Sequence, residues 1–351
     1  MSYYKHILIF VALTFINVFA TQRQIQAQDR TFHDAVRNGD LVNVKKMLDE
    51  GADVNAQVEN NLTPIYFADD PEMVDLLLAY KPQLNIRDAA CIQTPLERAA
   101  MNCYQDKKVA KKWRSIVDKL QTAGAEYTID AAIYLNDVDF IQKQLEKEDS
   151  WVNKCRDSQS VPLRLAARTG REEICKLLLK HKANPDDFER GTGYPIMVDA
   201  INHPAVVKLL IDAGANLRRR ITWMAGRSGQ WIIGDEATAL HYAAQEGNLE
   251  SCRLLVQAGL DVNAADIDGQ TPIHIALRGE RVHYESNDEK SYVRVVRYLL
   301  ENDASLRFTD KSARNVVDLA VAIKSPKAIT ELLNKYKEER DRRFREAFSD
   351  R

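Results

Sequence analysis

Residues 238–270 read TALHYAAQEGNLESCRLLVQAGLDVNAADIDGQ, and Thr271 opens the pattern again with TPIHIAL. The step from Thr238 to Thr271 is 33 residues. Self-similarity at that period signals a stack of helix pairs. Each letter has a physical reason. Thr271 suits a helix cap, and Pro272 suits the first helical position, where no backbone N–H is needed. Ile273, Ile275, Ala276 and Leu277 supply a small apolar face. In the preceding copy Gly247-Asn248 marks the turn between helices. Residues 250–257 form the second helix, with Leu254, Leu255 and Val256 as its apolar row, and Gly259 ends it. Asp266-Ile267-Asp268-Gly269 reads as a tight turn.

Degraded copies surround this one. They start near Thr31, at Thr63-Pro64-Ile65, at Thr94-Pro95-Leu96, near Ile129, at Val161-Pro162-Leu163 and at Tyr194-Pro195-Ile196. A last one runs from Asn315 to about Tyr336 and passes into the polar run KEERDRRFREAF. The T-P-L-H start, the L-L row and the G-A-D-V-N end resemble the ankyrin repeat. The resemblance implies an all-α ankyrin-repeat solenoid of about nine helix-turn-helix repeats with β-hairpin fingers, over residues 31–336. Residues 337–351 then form a charged helical extension, and the last copy is a polar cap for the open end of the stack.

The first 27 residues are different in kind. Lys5 and His6 precede an apolar run at 7–19, and small residues follow at Ala20 and Ala27. This is the pattern of a secretory signal peptide, cleaved after residue 20 or 27. The run is short of the roughly 20 residues that span a bilayer. Removing Lys5 and Arg23 with it moves the formal charge from −2 to −4, which does not suit a general nucleic-acid binder. The expected compartment is the periplasm first and the medium second, because exported proteins that resemble this one are typically bacterial. Five cysteines leave at least one unpaired. Cys175 and Cys252 share one slot of the second helix and read as small core residues, whereas Cys91, Cys103 and Cys155 fall at loops or helix ends. The sequon Asn61-Leu62-Thr63 coincides with a repeat start and reads as chance.

Interruptions of the period mark where loops have grown, and loops carry function. The interval from Tyr194 to Thr238 is 44 residues, eleven above the period. The excess, residues 218–237, contains two strand-like runs, ITWM and QWII, around the turn-like AGRSG. An elongated hairpin is expected, with Trp223 facing Trp231 across it. Arg218, Arg219, Arg220, Trp223, Met224, Arg227 and Trp231 have the composition of an interface hot spot and are the candidate partner-binding residues. The tryptophans have a second reading, as the hairpin's own packing. Residues 279–292 form a polar link inside another copy. In the copy starting at Thr94 the second helix is lengthened, and Lys107, Lys108, Lys111 and Lys112 are expected on one helical face.

The chemistry-bearing motifs are weak. His241 and His274 sit at the fourth position of successive starts, without a Cys or carboxylate at zinc-ligand spacing. The resemblance implies a structural role for them, hydrogen-bonding across the stack. Asp266-Ile267-Asp268-Gly269 begins like a calcium loop, but the position needing an acidic ligand is Ile275. There is no nucleophile elbow, no phosphate loop and no C-x-x-C. The expectation is a non-enzymatic monomer without cofactor or metal, binding an unknown protein through its concave face. The alternatives are a secreted effector that engages host proteins and, from another class, a redox-protective protein or enzyme using a cysteine such as Cys91 or Cys155.

Overall fold

The computed structural model describes residues 28–87, 89, 93–154, 161–188, 194–221, 235–279 and 289–349. The apolar run 7–19, Cys91 and Cys155 lie outside these residues. The chain divides into two units, Met1–Ile141 and Gln142–Arg351. Among the described residues no helix is long and apolar enough to cross a membrane. Their β-structure consists of four isolated bridges, Val58↔Leu62, Phe188↔Pro195, Ile221↔Ala237 and Thr309↔Asn315.

The first unit holds α1 (28–37), α2 (Leu41–Asp49), α3 (Pro64–Phe67), α4 (Pro71–Leu78), α5 (Pro95–Gln105), α6 (Ala110–Thr122) and α7 (Ile129–Leu135). The division into units falls inside α8 (Val138–Lys147). The second unit continues with α9 (Pro162–Arg168), α10 (Glu172–Lys180), α11 (Ile196–Asp199), α12 (Pro204–Asp212), α13 (Ala239–Gln245) and α14 (Leu249–Gln257). It ends with α15 (Pro272–Gly279), α16 (Glu289–Glu301), α17 (Val316–Ala322) and α18 (Lys327–Ser349).

Each unit is two layers of helices. In the first, α5 packs on α3 and α7, while α4 packs on α2 and α6. In the second, α9, α11, α13, α15 and α17 stack in order, and α10, α12, α14, α16 and α18 form the other layer. The seam between layers is apolar. Val44, Met73, Leu77, Leu96, Ile116 and Leu120 are buried in the first unit, and Leu178, Leu210, Leu240, Leu255 and Leu299 in the second. Cys175 and Cys252 belong to this seam, fully buried, as their slot predicts. Burial pushes both thiols up to about 12, so neither is a thiolate at neutral pH.

Starts and stops follow local chemistry. Thr94 caps α5 in a capping box: its hydroxyl accepts the Glu97 N–H, and the Glu97 carboxylate accepts the Thr94 N–H. The Thr128 hydroxyl likewise accepts the Ala131 N–H and caps α7, although no proline follows it. After α2, α4, α8 and α14 a loop asparagine ties its copy to the next. Asn55 accepts from Gln83 N at 2.6 Å, and Asn85 from Glu126 N at 2.9 Å. Asn153 accepts from Asn184 N at 2.8 Å, and Asn263 from Ser305 N at 2.7 Å. These bonds satisfy loop N–H groups that lie beyond the helix ends.

Two expectations need correction. Lys107 and Lys108 are not on a helix face; they sit in the turn between α5 and α6. The Asp106 carboxylate accepts the Lys108 N–H there and stops α5, so the extra length is shared between both helices. In the polar link at 279–292, residues 289–292 belong to α16, and Tyr292 is buried with its hydroxyl donating to Gln245 O at 2.9 Å. Residues 280–288 lie outside the described residues. The charged C-terminal run continues α18 without a break at residue 337.

Candidate functional site

In four of the copies the fourth residue of the start is a tie between neighbours, whereas Ala131, in the same slot, has no polar group to make one. His241 is fully buried. Its Nδ1 accepts the Thr238 N–H at 3.1 Å, which leaves Nε2 as the donor to Gln270 O at 3.1 Å. His33 occupies the equivalent slot, with Nε2 3.1 Å from Leu62 O. Glu97 fills it with a carboxylate that takes the Thr128 hydroxyl at 2.7 Å and both ends of the Arg87 guanidinium. Arg164 fills it with a buried cation, 2.5 Å from Asp199 and bonded to Tyr194 O. Three chemistries therefore do one structural job, and none points toward solvent. Among the described residues no group of His, Cys, Asp and Glu could hold a metal ion.

The second unit exposes its chemistry along the loop tips that follow the second helices. Each tip closes on itself. Ile221 N donates to Ala237 O at 3.0 Å, Asp266 N to Gln270 O at 2.9 Å, and Asp310 N to Arg314 O at 2.9 Å. Asp266 accepts from the Asp268 and Gln270 amides, which shapes the turn expected there. Asp310 is nearly fully buried. Burial opposes its charge, but the Arg314 side chain and the Arg314 and Ser312 amides outweigh that and hold its carboxyl at about 2.

Neighbouring tips are bonded in series. Arg219 donates to Asp186 O at 3.1 Å, and Arg220 donates to both Glu236 O and Ala265 O at 2.8 Å. Ile267 N donates to Asp235 O at 2.8 Å, and Lys311 N to Asp268 O at 2.8 Å. On this connected edge stand three large apolar side chains open to water: Phe188 at 45%, Ile267 at 58% and Phe308 at 43% exposure. The Arg219 guanidinium lies 4.3 Å over the Phe188 ring. Beside them Tyr194 and Tyr242 meet edge to face at 5.6 Å with their hydroxyls 3.2 Å apart. Burial and the Tyr194 hydroxyl push the Tyr242 phenol up, so Tyr242 stays a neutral donor.

Of the expected binding residues, the structure brings Arg218, Arg219 and Arg220 to this edge. Arg219 and Arg220 are engaged with backbone carbonyls, and Arg218 is exposed. Trp223, Met224, Arg227 and Trp231 lie outside the described residues, as does the Trp223–Trp231 pairing. The bridge Ile221↔Ala237 closes the base of the insertion. Phe188, Tyr194, Tyr242, Ile267 and Phe308 escape a reading based on composition. A positional signal was available: Phe188 and Ile267 each stand four residues after a loop asparagine, Asn184 and Asn263, where the repeat needs no apolar side chain.

Comparison with known families matches three segments. Residues 129–221 match the model described as ankyrin repeats (3 copies), 240–285 that of ankyrin repeats (many copies), and 268–311 that of a single ankyrin repeat. Among curated proteins, a putative E3 ubiquitin-protein ligase of Arabidopsis thaliana is 30% identical over 171 residues, 44% of this chain and 35% of that protein. The nuclear factor NF-kappa-B p105 subunit of Gallus gallus is 30% identical over 211 residues, 58% of this chain and 17% of its own length. The protein phosphatase 1 regulatory subunit 12A of Mus musculus is 36% identical over 83 residues, 24% of this chain and 7% of that protein. The chain thus spans about a third or less of the length of these relatives. Residues 129–221 and 240–311 are therefore ankyrin repeats, the building unit of a protein–protein interaction module.

Proposed function

We propose that this chain is a non-enzymatic docking protein of about nine repeats that holds a partner protein through the tips of its second unit. The tips act as the β-hairpin fingers of the ankyrin repeat. The observation that carries the reading is the row Phe188, Ile267 and Phe308, exposed on tips bonded to one another. Large apolar groups on a backbone-tied edge bury area on contact while losing little conformational freedom. Arg218 and the Tyr194–Tyr242 pair add the residue types that dominate interface energetics. The insertion at 218–237, with Trp223, Met224, Arg227 and Trp231, is an anchoring arm at this edge. A relative named as a regulatory subunit is in keeping with a binding role.

The setting we propose is export as a monomer to a periplasm, with release to the medium second; it rests on Lys5, His6 and the apolar run 7–19. Burial of Cys175 and Cys252 takes both out of the redox alternative. The test is co-purification from a periplasmic fraction with three baits: the wild type, a variant lacking residues 219–233, and the combined Phe188→Ser, Ile267→Ser and Phe308→Ser variant. The wild type should retain a partner that the triple variant loses and the deletion weakens. Equal recovery by all three baits overturns the proposal.

A further inference from the structure

The turn between α5 and α6 and the start of α6 carry a run of positive charge in the first unit. Between Asp106 and Asp118 the chain carries Lys107, Lys108, Lys111, Lys112 and Arg114 and no carboxylate, in a protein of formal charge −2. Elsewhere the helices place a counter-charge one turn away. Lys45 pairs with Asp49, Lys176 with Glu172 and Glu173, and Lys208 with Asp212. Here Arg114 has Asp118 at 3.4 Å, but among the described residues no ion pair reaches the four ammonium groups. Lys107, Lys108 and Lys111 are exposed, and Lys112 lies 5.4 Å over the Trp113 ring.

The turn also stands proud of its neighbours. Helix α5 has eleven residues, whereas α3 and α7, which flank it, have four and seven. At about 1.5 Å per residue the last turn of α5 overhangs α7 by roughly 6 Å. The eight residues of α4 are likewise outrun by the thirteen of α6. Below the lysines the overhang bares a shoulder of half-buried Met101, Tyr104 and Tyr134, with the two tyrosine rings 6.4 Å apart.

We propose that this lysine-tipped knuckle docks an acidic segment of a protein partner. The carboxylates would meet the unpaired lysines, and the segment's apolar side chains would lie on the Met101–Tyr104–Tyr134 shoulder. A protein is favoured over a lipid surface because no described residue between 93 and 135 is an exposed large apolar side chain. A membrane-binding knuckle would lack the group that inserts, and four lysines by themselves adsorb weakly.

The test is fluorescence anisotropy of the full chain with a short fluorescein-labelled Asp/Glu-rich peptide, at low and moderate salt. The wild type should bind, with an affinity that falls steeply as salt rises. The combined Lys107→Glu, Lys108→Glu, Lys111→Glu and Lys112→Glu variant should lose about tenfold or more. The four Lys→Arg changes should keep the affinity within about threefold, since charge is retained. A Phe188→Ser control should bind the peptide as the wild type does, which separates this surface from the tip edge. Circular dichroism checks that each variant keeps its helices. Unchanged affinity in the charge-reversed chain overturns the proposal, as does binding to phosphatidylglycerol vesicles without binding to the peptide.

Discussion

His241 shows how one side chain can be legible in identity and half-legible in role. The T-P-L-H start marks it as structural, and it bonds across to Gln270 O as that reading requires. The same slot in other copies holds His33, which makes the same kind of bond, and Glu97 and Arg164, which do the work with different chemistry. A letter-matching reading misses them, because the slot fixes a hydrogen bond and not a residue type. The burial of His241 has a measurable consequence. Loss of solvent lowers its pKa from the ordinary 6.5 to about 4, against the raising effect of Gln270 O and Asp266. A group depressed in the folded state stabilises the fold fully above pH 6.5 and loses that contribution as pH falls through 4. The loss is roughly 3 kcal/mol, and burial lowers His274 in the same direction. Urea unfolding between pH 7 and 4 should therefore show a falling stability, with a shallower fall in His241→Gln. An equal fall in the variant would mean that the proton is taken up elsewhere.

At the scale of elements, the tip turns test whether the edge is built or merely present. Asp266-Ile267-Asp268-Gly269 was readable as a turn because Gly269 can take φ +73°. What the sequence does not carry is the neighbour: a Cβ at Gly269 would sit 2.7 Å from Thr309 O of the next tip. Gly259 has φ +92° with nothing within 4 Å of that position, so it isolates the backbone cost. Gly269→Ala should lower stability by about 1–3 kcal/mol and exceed Gly259→Ala by the cost of the clash. Equal midpoints in denaturant for the two variants would show that the tips are not held together. The lengthened copy at 94–127 makes a related point. Its long helical run was visible in the sequence, but the stop at Asp106 depends on one local bond to Lys108 N, too small a signal to separate a long helix from two.

Over the whole chain, the period gave the helix pairs and the apolar seam before any coordinates. The two helical layers in each unit follow from the same spacing of Leu and Ala. The division at Ile141 had no such signal, because no linker of Gly, Pro or Ser marks it and α8 runs through it. The binding edge was half-visible. Eleven surplus residues pointed to Arg218–Arg220, while the exposed Phe188, Ile267 and Phe308 read as ordinary hydrophobics until their tips were seen to be bonded in series. Whether the tips of the second unit hold the partner is decided by hydrogen–deuterium exchange of the full chain with and without the co-purified partner. New protection is expected at 184–188, 216–221, 235–237, 265–269 and 305–310. Protection confined to the layer of α10, α12, α14 and α16, with the tips unchanged, would contradict it.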